Sequence, residues 1–138
     1  MEIQNQPKLA FLGVDIVDID FKATNSYDSK SPIDLDIYPK VFYPKDDNSS
    51  FRIIMDVELI SKNFFDLKLL AIGNFSLSGE LNGNDKKSFV SRNAPAIMFP
   101  YVRAFISTLT SNLGSATGHL MIPTQFFKGD LEEIAPGD

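Results

Sequence analysis

At 138 residues, 43% apolar and 22% charged, the chain fits one compact domain that can bury a core without cross-links. Its net charge of −5 offers no basic field for nucleic-acid phosphates or an anionic membrane surface. The absence of cysteine excludes disulfides and thiolate metal sites.

No run approaches the roughly 18 apolar residues of a membrane helix, so no membrane insertion is expected. The opening stretch MEIQNQPKLAFLG lacks a basic segment followed by an apolar one, which points to a cytoplasmic address. Residues 1–138 read as a single domain, with 1–7 and 129–138 as flexible ends. Twelve Phe and four Tyr, without Trp, suit either a β-rich core or an adhesive surface.

Leu12, Val14 and Ile16 alternate in one phase; Val17, Ile19 and Phe21 alternate in the other, with Asp18, Asp20 and Lys22 opposite them. The adjacent pair Ile16–Val17 therefore predicts a bulge inside one long first strand. Residues 23–31 form a polar loop. Ile33, Leu35 and Ile37 then alternate with Asp34 and Asp36, while Pro39 and Pro44 remove ladder donors, as on an edge strand. After the turn sequence DDNSS, residues 51–60 carry the clearest stripe: Phe51, Ile53, Met55, Val57 and Leu59. Lys62–Asn63 is the expected turn into a fourth strand. There Phe65, Leu67, Leu69 and Ala71 share one side, and Asp66, Lys68, Leu70 and Ile72 the other. Apolar residues on both faces predict cover on both.

Residues 82–92 read as a polar connection. From residue 93 the period changes to about 3.6. Met98, Val102, Phe105, Ile106, Leu109 and Leu113 fall in one helical stripe, with Arg103, Ser107, Thr110 and Ser111 outside it. Pro95 or Pro100 marks the helix start and Gly114 its end. The tail, with Asp130, Glu132, Glu133 and Asp138, reads as solvated. The pattern is α+β: a four-stranded antiparallel sheet followed by one long helix packed on it. A second copy of the chain is the simplest cover for the remaining apolar face.

Catalytic groups are sparse. His119 stands alone, without a cysteine or second histidine to pair with it. No serine sits in a G-x-S-x-G setting, and no glycine-rich phosphate cradle occurs. Asp15, Asp18 and Asp20 line a strand's polar side, and Asp46–Asp47–Asn48 reads as a turn. No enzyme activity, cofactor or metal is expected.

One segment carries a more specific signal. P-x-I-M-F-P-Y-V-R-x-x-I at residues 95–106 resembles the start of the long helix in the SecB protein-export chaperones. IVDIDFKATN (16–25), GNFSLSG (73–79) and MIPTQFF (121–127) are similar to further family stretches in the same order. The resemblance implies a non-catalytic subunit that dimerises and tetramerises and keeps export-bound or other non-native polypeptides soluble. It implies client contact through Ile33, Leu35 and Ile37, a surface extended here by Tyr38, Phe42 and Tyr43. It implies subunit contacts at Leu67, Leu69 and Ala71. The helix stripe, including Val102, Phe105 and Leu109, would be shared between the sheet and neighbouring subunits, with Arg103 in a buried ion pair.

Two departures stand out. Asp18 matches an acid that docks the translocase motor, but Lys22 and Lys68 stand where two other acids would be, and charge reversal opposes such docking. The family's C-terminal helix is replaced by QFFKGDLEEIAPGD, in which Gly129 and Pro136 are breakers, leaving the groove more open. The leading expectation is a homo-oligomeric holdase, the alternative a dedicated chaperone of one client such as an antitoxin. A small-ligand binder is a third reading.

Overall fold

Alternating apolar residues give four long strands: β1 Lys8–Ala23, β2 Asp34–Phe42, β3 Ser50–Ser61 and β4 Phe65–Ser78. The helix α1, Gly83–Ser111, follows, then a single 3-10 turn at Gly114–Ala116 and a short strand, β5, at Glu132–Ile134. The computed structural model describes residues 7–47, 49–79, 81–125, 127 and 129–134.

The sheet order is β1-β4-β3-β2-β5. The first four strands pair antiparallel, but β5 joins the outer edge of β2 in parallel, so the sheet is mixed and five-stranded. The expected four-stranded antiparallel sheet is thus one strand short. A three-residue ladder is too short to leave a period in the sequence. The tail expected to be flexible from residue 129 is a strand at 132–134; of that stretch, residues 135–138 lie outside the described residues, as do 1–6 of the expected flexible N-terminus.

Register aligns the odd-numbered stripes of the two central strands: Phe51 with Phe75, Met55 with Ala71, Val57 with Leu69, Leu59 with Leu67. All eight are buried. β1 keeps its apolar residues on this face through two bulges, between Phe11 and Gly13 and between Ile16 and Asp18. The second is where the phase change predicts it. Val17 is therefore the extra residue, 52% exposed, and does not share a face with Ile19 and Phe21; Leu12 at the first bulge is 65% exposed. Gly13 permits that first bulge with φ +119°. Four aromatic contacts cross the core: Tyr101 to Phe11 (4.8 Å), Phe11 to Phe75 (5.3 Å), Phe75 to Phe51 (5.2 Å) and Phe51 to Tyr43 (5.9 Å).

The helix begins at Gly83, not at either proline. Asn82 caps it, its side chain accepting the Asp85 N–H at 2.9 Å, and Asp85 in the first turn suits the positive end of the helix. Pro95 and Pro100 are both interior and leave the carbonyls of Ser91 and Ala96 without their intrahelical donors, at a cost of about 3 kcal/mol each. Burial offsets this: Val90, Ala94, Met98, Val102, Ile106 and Thr110 form a four-residue-spaced row that is wholly buried. The polar sequence NGNDKKS hides the early start because its first turns face water. At the other end Asn112 is the C-cap, and Gly114, at φ +67°, lies two residues beyond it.

Candidate polypeptide-binding surface

The segment after the helix turns back and runs along it. Leu120 N–H donates to Thr110 Oγ1 at 3.0 Å, and His119 Nε2 lies 2.6 Å from Ser107 Oγ. Arg103 Nη1 donates to Thr124 Oγ1 at 2.9 Å, and the rings of Phe99 and Phe127 meet edge to face at 5.8 Å. Finally Leu131 N–H donates to Ser91 Oγ at 2.9 Å. From Leu120 to Leu131 the tail ascends while its helix partners descend from Thr110 to Ser91, a zipper of antiparallel sense. Ile122 and Leu131 are buried in the core. This zipper delivers β5 to the edge of β2, where Glu132 Oε2 stands 4.0 Å from Lys40 Nζ. Among the described residues Arg103 meets a hydroxyl where a buried ion pair is expected, because the adjoining segment MIPTQ offers Thr124 and no carboxylate.

The six residues implied as client contacts do not form one patch. Leu35 and Ile37 pair with Leu59 and Val57, so they face the core side of the sheet, and with Ile33 they are half-buried. Tyr38 and Phe42 pair with Asp56 and Arg52 on the opposite side. Tyr38 is exposed, and the charges of Asp36 and Glu58, with some loss of hydration, push its hydroxyl pKa up, the Asp36 charge most strongly. Tyr43 lies just past β2, its ring beneath Lys86 Nζ at 4.7 Å. Its hydroxyl is the one buried side-chain polar atom without a hydrogen-bond partner among the described residues. Burial, and then Glu133, push its pKa up to about 12.

The residues implied as subunit contacts are mostly internal. Leu67, Leu69 and Ala71 are 1%, 3% and 0% exposed beneath the helix, and Val102 is fully buried; Phe105 and Leu109 are half-buried. A side chain with no exposed surface cannot touch a second molecule without rearrangement. The strand's accessible apolar residues are the other set, Leu70 and Ile72. Ile72 pairs with Ile54 of β3, and Leu70 lies one pair along, between Asp18 and Asp56. Together they form a half-exposed apolar patch on the outer sheet face, with Tyr38 at its β2 side.

Charges frame the patch. Asp36, Glu58, Lys68 and Asp20 form one rank across the sheet, and Lys22 is opposite Asp66. Asp18 is exposed beside Leu70. Ile97 and Tyr101 on the helix and Met121 after it are also exposed. A surface cleft of about 360 Å³, lined by Pro100, Arg103, Ala104, Ser107, Met121 and Ile122, lies between helix and tail. The sequence identifies two apolar faces on β4 and predicts cover for both, but it places the subunit contact at Leu67, Leu69 and Ala71 and not at Leu70 and Ile72, because alternation does not reveal which face the helix takes.

Among the described residues no three His, Cys, Asp or Glu side chains are grouped to hold a metal, and no helix is long and apolar enough to cross a membrane. The His119–Ser107 contact lies on the surface.

No family model matches the chain, and no curated protein matches it. Among solved structures it is similar to a Mycobacterium tuberculosis SecB-like chaperone in complex with a ChAD peptide from the HigA1 antitoxin, with a TM-score of 0.68 at 14% identity over 85% of this chain and 87% of that one. A protein of unknown function from Streptococcus agalactiae is matched at TM-score 0.45 and 8% identity, over 86% of this chain and 98% of that one. The first likeness establishes a SecB-like α+β fold: one long helix packed on a sheet.

Proposed function

We propose that this protein is a cytoplasmic, oligomeric holdase that binds extended apolar segments of non-native polypeptides and keeps them soluble. One observation carries the reading. A single chain leaves apolar surface uncovered on three sides: the outer patch of Ile54, Leu70 and Ile72, the helix face with Ile97 and Tyr101, and the flank of β2. Of these the outer patch weighs most: Ile54, Leu70 and Ile72 are contiguous, and contiguous apolar surface of this kind marks an interaction site more often than scattered residues do. Large aromatic and methionine side chains suit varied ligands, because they adapt their packing. Negative net charge favours basic clients and keeps the holdase itself soluble. The SecB-like fold supports the same reading.

The test is light scattering of a denatured, aggregation-prone client diluted with and without the protein. Suppression at a few-fold molar excess is expected; unchanged aggregation overturns the reading.

A second reading, a dedicated chaperone of one client such as an antitoxin, is favoured by the charge ranks on the outer face. Lys68 stands between Glu58 and Asp20, and Lys22 opposite Asp66, which neutralises the acidic field a translocase motor would need. The similar chaperone is itself bound to an antitoxin peptide. Pull-down from host lysate distinguishes the two: one abundant partner supports the dedicated chaperone, many weak ones the general holdase.

A further inference from the structure

On one side β2 pairs with β3 along its whole length, Asp34 to Phe42. On its outer side it meets β5 over Lys40–Phe42 only. The outer edge from Asp34 to Pro39 therefore has no strand neighbour among the described residues. Exposed edges of this kind accept further strands. β5 reveals how such a strand is received. Its lead-in residue Leu131 is buried, with its N–H held by the Oγ of Ser91, itself buried. Beyond that anchor, three residues join the ladder, two of them exposed glutamates.

We propose that the outer edge of β2 is a receiving site for an extended client strand, and that β5 is its built-in occupant, displaced when a client adds parallel to β2. This rests on the holdase reading and gives it a ligand chemistry. Inward-facing client residues meet the side of Leu35 and Ile37; outward-facing ones meet Asp34, Asp36 and Tyr38, with Glu58 paired to Asp36. A segment alternating apolar and basic residues satisfies both sides. Glu132 of β5 faces Lys40, and Glu133 shares a cleft with Lys86 and Lys87, but β5 spans only Lys40–Phe42 and, being tethered, cannot reach the rest of the edge. A client strand running the full edge, Asp34 to Phe42, adds ladder bonds and places its basic residues at Asp34 and Asp36, and so overcomes that advantage.

The test uses the full chain carrying Lys40→Cys and Glu132→Cys, its only thiols, at positions paired in the ladder. Diamide takes up the two electrons and two protons released as the disulfide forms and locks β5 in place; dithiothreitol reopens it. A fluorescein-labelled peptide alternating valine and lysine is titrated by anisotropy in both states. Oxidation is expected to weaken binding roughly tenfold or more, with recovery on reduction. A valine–glutamate peptide is expected to bind roughly tenfold more weakly than the lysine one. Equal affinity in the two states, or no binding in the reduced state, overturns the proposal.

In the full chain with Leu131→Asp, affinity for the valine–lysine peptide is expected to rise roughly threefold or more. Unchanged affinity with a native circular dichroism spectrum overturns the proposal, and the cross-link test stands alone if this variant does not fold. Light scattering with a denatured client in the two redox states separates this inference from its parent. Equal suppression with unchanged peptide binding removes the displaceable strand and keeps the holdase. Redox-gated peptide binding without suppression does the reverse.

Discussion

The sulfur of Met98 lies against the bare Cα of Gly73: a Cβ built on that glycine would stand 2.8 Å from it and 3.1 Å from the Met98 methyl. Gly73 pairs with Ile53 on one side and Val14 on the other, so this contact sits in the middle of the sheet. It lets the helix approach the sheet closely. Gly73→Val is expected to destabilise by about 1–3 kcal/mol through overpacking. Adding Met98→Ala should recover part of that loss, since it vacates the same space. Denaturant melts of the single and double variants check this; additive losses would contradict the contact.

Tyr43→Phe is expected to stabilise the fold by about 1 kcal/mol, because it removes a buried hydroxyl without a partner. The variant also bears on pH. The folded-state pKa of Tyr43, about 12, stands above the ordinary 10.0, so its contribution is complete below about pH 10 and is lost as pH rises through 12. Thermal melts across that range should fall less steeply for Tyr43→Phe than for the natural chain.

Asp47 shapes the turn before β3. The Ser49 hydroxyl donates to Oδ1 at 2.7 Å, the Ser49 N–H to the same oxygen at 2.8 Å, and the Ser50 hydroxyl to Oδ2 at 2.8 Å. In that order these bonds lower its pKa from 3.8 to about 2. The folded value is depressed, so the stabilisation is present above about pH 4 and is lost as pH falls towards 2. Asp47→Ala is expected to melt earlier than the natural chain at neutral pH, with the difference closing in acid. A constant difference down to pH 2 would contradict the assignment.

Ser91→Ala leaves the Leu131 N–H without its acceptor and should cost about 1–3 kcal/mol locally. Hydrogen exchange is the direct readout. The amides of β5 should exchange faster, while those of β3 and β4 keep their protection.

The outer patch makes a separate demand. Leu70→Lys with Ile72→Thr makes this half-exposed surface polar, with the new cation between Asp18 and Asp56, and should lower the melting temperature by only a few degrees. Aggregation suppression, or the native mass, should fall. Loss of neither would show that Ile54, Leu70 and Ile72 serve neither clients nor sister subunits.

Much of this architecture is legible before folding, and the rest is hidden for identifiable reasons. Alternation names β1 to β4 because each buries one face, and the Ile16–Val17 phase change marks a real bulge. The helix start is obscured because its first turns carry no apolar stripe. The tail is hidden because its contacts join single polar side chains far apart in sequence, such as Ser91 with Leu131 and Arg103 with Thr124. Apolar parity identifies two faces of β4 but not their occupants, so Leu67, Leu69 and Ala71 look available until the helix is seen to cover them.

The position of β5 also bears on how the molecule is made. The strand on the outer side of β2 is made after β1 to β4 and α1. Until it docks, Lys40–Phe42 stay as open to neighbouring nascent chains as the rest of that edge.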